Sequence, residues 1–144
     1  MEPDKNLRPK VGLGILIFKE GKVLLGKRIH NGGLGHGEYA GTGGHLEYME
    51  SIELCAKRET LEEAGIEIKN IRFLCVVNVK EYAPKHYLDI GLVAEWVSGE
   101  PKVMEPDKLE RWDWYDIHNL PKPLFGMVPK YFESYKTGVK YWDN

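Results

Sequence analysis

The chain is short of most features that would fix its class by themselves. Its 144 residues contain only two cysteines, Cys55 and Cys75, too few for a disulfide framework. Both fall in segments predicted to be regular, where small buried thiols are expected. No run of 18 apolar residues occurs, so no membrane-spanning helix and no leader segment are expected, and cytoplasm is the expected location. Neither sign of charge dominates. A net charge of −2 leaves no basic footprint for duplex nucleic acid. Internal repeats and low-complexity tracts are missing too. What is present, 42% hydrophobic and 29% charged residues, suits one globular domain over residues 1–144.

The informative stretch is residues 44–66, GHLEYMESIELCAKRETLEEAGI. Ser51 is a good N-cap and Gly65 a good C-terminal stop, so about three turns of helix are predicted between them. At about 100° per residue, Ile52, Cys55, Ala56, Glu59, Glu62 and Glu63 share one sector. Leu54 and Leu61 lie opposite, which predicts a helix buried between layers. Its carboxylates would face a pocket. Three converging carboxylates repel one another and lose hydration unless a cation joins them. Mg²⁺ suits such a site because it takes oxygen ligands.

Gly44, Glu50, Arg58, Glu59, Glu62, Glu63 and Gly65 reproduce the spacing of the Nudix box. At roughly 6% usage per position, a chance match is on the order of 10⁻⁸ per start site. The chain therefore resembles Nudix hydrolases. Two positions depart from the pattern: Thr60, where an aliphatic residue is preferred, and Thr42, where relatives carry proline before the two glycines. Further on, GGHLEYMES, EPKVMEPDK and RWDWYDIHNLPKPLF follow the order seen in plant and animal cytosolic nucleotide pyrophosphohydrolases of that family.

In chain order, residues 11–18 and 22–28 read as a hairpin around Glu20-Gly21. Arg28, at its end, is either a solvated cap or a phosphate or base contact. Residues 30–43 hold six of the sixteen glycines and read as a loop able to lay backbone against phosphate. Residues 66–68, 71–80 and 86–97 read as strands, the last two as a hairpin. Residues 111–115 form a short aromatic strand. Residues 124–137 read as a helix with Val128, Phe132 and Tyr135 on one side, Pro129 in its first turn and Gly138 as its stop. The aromatic tail, Tyr141-Trp142, needs a surface on its own body or on a second subunit. This order predicts an α+β fold: a mixed β-sheet sandwiched between helices, α/β/α.

The resemblance implies hydrolysis of nucleoside triphosphates, including oxidised forms such as 8-oxo-dGTP, to the monophosphate and pyrophosphate. It implies Mg²⁺, or Mn²⁺ in its place, held by Glu59, Glu62, Glu63 and the Gly43 carbonyl. The general base would be Glu62, Glu63 or a later acid, with Glu105 and Asp107 as the loop candidates. Arg58 would orient the acids by charge-assisted hydrogen bonds, with Glu50 as its partner. His45 could touch a phosphate. Trp112 and Trp114 share a strand face and could stack on a base or serve packing, and Tyr39 and Tyr87 are similar candidates. A homodimer is also implied. Two alternatives stand beside this: a Nudix hydrolase of ADP-ribose, a nucleoside diphosphate sugar or an isoprenyl diphosphate, and a binding module without catalysis.

Overall fold

The computed structural model describes residues 7–30 and 33–143. In chain order the elements are β1 (Lys10–Lys19), β2 (Lys22–Arg28), β3 (Tyr39–Ala40), β4 (Thr42–His45), α1 (Ile52–Ala64), β5 (Glu67–Val79), β6 (Tyr87–Ser98), β7 (Leu109–Asp116), α2 (Val128–Thr137) and β8 (Tyr141–Asp143).

Strand β1 organises the sheet. Glu20 and Gly21 both take positive φ (51° and 80°), which fits a two-residue turn whose twist matches its strands and returns the chain as β2. Only the Phe18–Lys19 end of β1 pairs with β2, while Gly12–Ile15 pairs with β4. The opposite edge of β1 runs parallel to β6, from Lys10↔Tyr87 to Phe18↔Glu95. Beyond it come β5, antiparallel to β6, and β8, parallel to β5. On the far side β2 holds both β3 and β7. The sheet is therefore mixed, as the sequence predicts.

Side chains alternate across the strands, so one sheet feeds two cores. Leu13, Ile15, Ile17 and Leu24 pack with Cys55, Ala56 and Ala64 of α1. Leu16, Val23, Leu25 and Val77 pack with Tyr131 of α2. Each helix covers one core. The cysteines are free and buried, Cys55 in the first core and Cys75 in the second. Among the described residues no helix is long and apolar enough to cross a membrane.

Three expectations need correction. First, α1 is not buried between layers. Leu54 and Leu61 are 62% and 54% exposed, and only the face with Cys55, Ala56, Thr60 and Ala64 is buried. Leucines on the outer face mimic a second stripe without a layer to receive them. Second, the two strands read over residues 66–68 and 71–80 are one, β5 (Glu67–Val79), with irregular pairing around Asn70 at φ 51° rather than a break. Third, α2 begins at Val128. Leu124 instead bridges Tyr39, and Gly126 at φ 43° turns the chain before the helix starts. Its buried face is Val128, Tyr131 and Ser134, while Tyr135 is exposed. The aromatic tail, for which its own body and a second subunit both stand open in the sequence, meets its own body. It adds β8 to the sheet, and the Trp142 indole N–H donates to Ser134 Oγ at 2.8 Å.

Candidate active site

Helix α1 carries its acids at a fixed height because both ends are pinned. Ser51 Oγ accepts from the Leu54 N–H at 3.1 Å, and Gly65, left-handed at φ 68°, donates its N–H to Leu61 O. Arg58 then gathers the acids around it. Its Nε and Nη2 grip Glu50 at 2.7 and 2.9 Å, a two-point hold. Its Nη1 reaches Glu59 at 2.8 Å and Glu62 at 3.4 Å. Nη2 also donates to the His45 carbonyl at 3.3 Å, tying helix to loop. The Arg58 hydrogen bonds hold the Glu50 carboxyl down at about 2.

Strand β4 lies against the acid-bearing end of α1. The Gly43 N–H donates to Glu63 Oε2 at 2.8 Å. A β-carbon at Gly44 would overlap the Glu59 carboxyl, so this glycine makes room for the acid. Beneath them Thr42 Oγ1 and Thr60 Oγ1 share a buried hydrogen bond of 2.9 Å. The two departures from the family pattern thus touch each other.

Burial raises the Glu63 carboxyl to about 8, assisted by the neighbouring charges of Glu59 and Glu105 and opposed by the Gly43 hydrogen bond. Glu59 is raised as well, chiefly by burial. The acids fan out rather than converge. Glu62 points to Arg58 with a half-exposed side chain, and among the described residues no three His, Cys, Asp or Glu side chains cluster to hold an ion unaided. The donor set still fits a hard divalent cation. Mg²⁺ needs only one or two carboxylates beside water and substrate oxygens. A buried carboxyl pushed to about 8 by burial and like charge is a group that such a cation would relieve.

Two cavities share Arg28 and His30 in their walls. The first, about 270 Å³, brings together Glu63, Glu105, Lys108, Trp112 and His30. The second, about 320 Å³, runs from Gly43, Gly44 and His45 to Tyr82, Tyr87 and Phe125. Arg28 is no solvated cap. Its guanidinium lies 3.9 Å over the Phe125 ring, its buried Nε has no hydrogen-bond partner, and burial lowers its pKa.

The other sequence candidates divide. Glu105 lines the first cavity and pairs with Lys108 at 3.5 Å, whereas Asp107 is exposed and lines neither cavity. His45 lines the second cavity and stacks on Tyr87 at 5.6 Å. Trp112 reaches the first cavity, but its indole N–H donates to the Glu63 carbonyl at 3.1 Å and so braces the helix end. Trp114 lines neither cavity. It packs on the α1 core under Lys19, so its place is structural. Tyr39 is likewise buried in the α2 core, with its hydroxyl accepting from Arg111. Sequence reasoning missed His30, Lys108, Tyr82, Phe125 and Asp89 as cavity residues. Of these only Asp89 carried a signal, being an acid inside an apolar strand.

Comparison with known proteins gives the same family. The model of the NUDIX domain matches residues 8–137. A NAD-capped RNA hydrolase NudC from Pseudomonas entomophila is 38% identical over 85 residues, which is 59% of this chain and 29% of that protein. The chain thus spans about three tenths of the length of that relative. An oxidized purine nucleoside triphosphate hydrolase from Danio rerio is 32% identical over 108 residues, 74% of this chain and 66% of that protein. In structure, the MutT NUDIX hydrolase from Burkholderia pseudomallei superposes with a TM-score of 0.82 at 33% identity, covering 89% of this chain and 98% of that one. With the box acids in place and the domain model matched over residues 8–137, the chain belongs to the NUDIX domain family.

Proposed function

We propose that the protein hydrolyses nucleoside triphosphates, oxidised purine forms such as 8-oxo-dGTP among them, to nucleoside monophosphate and pyrophosphate. The observation that carries this reading is a pair of cavities that share Arg28 and His30 in their walls. One holds Glu63 and Glu105, and the other continues past Gly43 and Gly44 to aromatic walls. Phosphates and base would thus have separate, adjoining places. The similarity to the oxidized purine nucleoside triphosphate hydrolase supports the choice of substrate.

Glu59, Glu63 and the Gly43 carbonyl, with Glu62 at the rim, would hold Mg²⁺ or Mn²⁺. Such a cation, when bound, supplies Lewis acidity and neutralises phosphate charge. The protein's own residues do the rest by positioning. Arg28 contacts the phosphates, a match for its buried and unpartnered Nε. His45 lies beside them at the cavity wall. Glu105 takes the proton of the attacking water, since it lines the first cavity together with Glu63, close enough for its charge to act on that carboxyl, and its own partner, Lys108, is 3.5 Å away. Arg58 holds Glu59 in place and touches no substrate. Trp112 backs the helix end. The reading also carries a cytoplasmic homodimer, and light scattering that finds only a 16.5 kDa species would remove the dimer.

A second reading rests on the NAD-capped RNA hydrolase similarity, which favours a dinucleotide-type diphosphate over a triphosphate. A product assay separates them. The panel is ordinary and 8-oxo nucleoside triphosphates, NAD, ADP-ribose and geranyl diphosphate, with Mg²⁺ present and phosphate and pyrophosphate counted separately. Monophosphate plus pyrophosphate from triphosphates supports the first reading. Cleavage of NAD or ADP-ribose alone moves the substrate to the second.

A further inference from the structure

One buried acid has no part in the chemistry proposed above. Asp89, on β6, is 5% exposed and forms the floor of the second cavity. Its Oδ2 accepts a hydrogen bond from the Tyr131 hydroxyl of α2. Room for that tyrosine is made by Gly14 and Gly91, where a β-carbon would overlap its ring. Oδ1 is turned toward Gly12, the register partner of Asp89 on β1 and itself a cavity residue. A β-carbon built at Gly12 would lie 3.3 Å from Oδ1, so the glycine places no side chain against this oxygen.

A carboxylate so deep is costly unless donors answer it, and Tyr131 answers only one oxygen. Burial raises the Asp89 carboxyl to about 6, opposed by the Tyr131 hydrogen bond, and in its ionised form it accepts only. The walls around it, Tyr82, Tyr87 and Phe125, suit a planar ring.

We propose that Asp89, braced by Tyr131, reads the base of the bound nucleotide by accepting its N–H donors, and so selects a guanine-type edge over adenine. This rests on the nucleotide reading of the site. Guanine offers N1–H and a 2-amino group side by side, two donors for one acceptor group. Adenine sets an acceptor nitrogen beside its amino donor, and that lone pair would face the carboxylate. A site built to hydrogen-bond one edge rejects the edge that leaves it unpaired. Asp89 is the specificity residue and Tyr131 its positioning residue.

The test is calorimetric binding of GMP, IMP and AMP to the full chain in EDTA, which reads the base without turnover. The unaltered protein is expected to bind GMP at least about tenfold more tightly than AMP, with IMP between them. Asp89→Asn turns an N–H toward guanine and is expected to abolish that preference at an unchanged melting temperature. Gly12→Ala keeps the carboxylate but covers Oδ1. It is expected to lower the preference too, and serves if Asp89→Asn does not fold. Equal affinities in the unaltered protein, no binding of any monophosphate, or a folded Asp89→Asn protein that keeps the preference overturns the proposal. The triphosphate product assay runs beside it. Base preference without hydrolysis removes the proposed function and keeps the Asp89 assignment. Hydrolysis without base preference does the reverse.

Discussion

Thr42 and Thr60 occupy two positions where the family pattern asks for proline and an aliphatic residue, and each hydroxyl is the other's partner. Removing one strands the other in a dry place, at a cost of about 1–3 kcal/mol. Thr60→Val and Thr42→Val should each destabilise by that much in urea melts, and the double variant should recover most of the loss. Additive losses would show that the pair is not coupled. Glu63 carries a different signature. Its folded carboxyl, at about 8, lies above the ordinary 4.5, so the folded state keeps a proton that the unfolded chain gives up. Its stabilising share is full below pH 4.5 and is lost as pH rises toward 8. The metal-free protein should therefore weaken across that range, and Mg²⁺ should restore more at pH 8.5 than at pH 6. Glu63→Gln should flatten this part of the profile and lose turnover by orders of magnitude. Melting temperatures measured with EDTA and with Mg²⁺ across the range decide it.

At the scale of elements, the box helix was legible because local rules governed it. Ser51, Gly65 and the acid spacing each report a contact within a turn or two. Ser51→Ala should cost about 1 kcal/mol through the lost cap. The outer leucines were misread because periodicity shows which residues align, not whether a layer covers them. Leu54→Lys and Leu61→Lys should each change stability by less than about 0.5 kcal/mol, as surface changes do, and a loss several times larger would restore the buried-helix reading. The start of α2 was misplaced for a related reason. Leu124 is apolar because it packs on the second core, beside Tyr39 to which its backbone bridges, contacts that no window of local sequence contains. Trp112 and Trp114 were indistinguishable as sequence, being two residues apart on one strand. Both pack on the first core, and only the arrival of α1 at Glu63 sets Trp112 apart by giving it a hydrogen bond.

At the scale of the molecule, the mixed sheet between two helices was readable from the order of strands and helices. The cavity floor was not. Asp89 meets Gly12 across β1 and β6, and meets Tyr131 across the second core. Both contacts join residues far apart in the chain. The closing strand β8 also matters at this scale, since it covers the outer edge of β5 and ties Trp142 to α2. Deleting residues 139–144 should lower the melting temperature and promote self-association through the bared edge, read by light scattering. The threonine pair has one more consequence. A lineage moving from Thr42 to proline, or from Thr60 to an aliphatic residue, must first cross an intermediate with a stranded hydroxyl. The two sites cannot drift independently, and the substitution that arrives first sets which second change selection will accept.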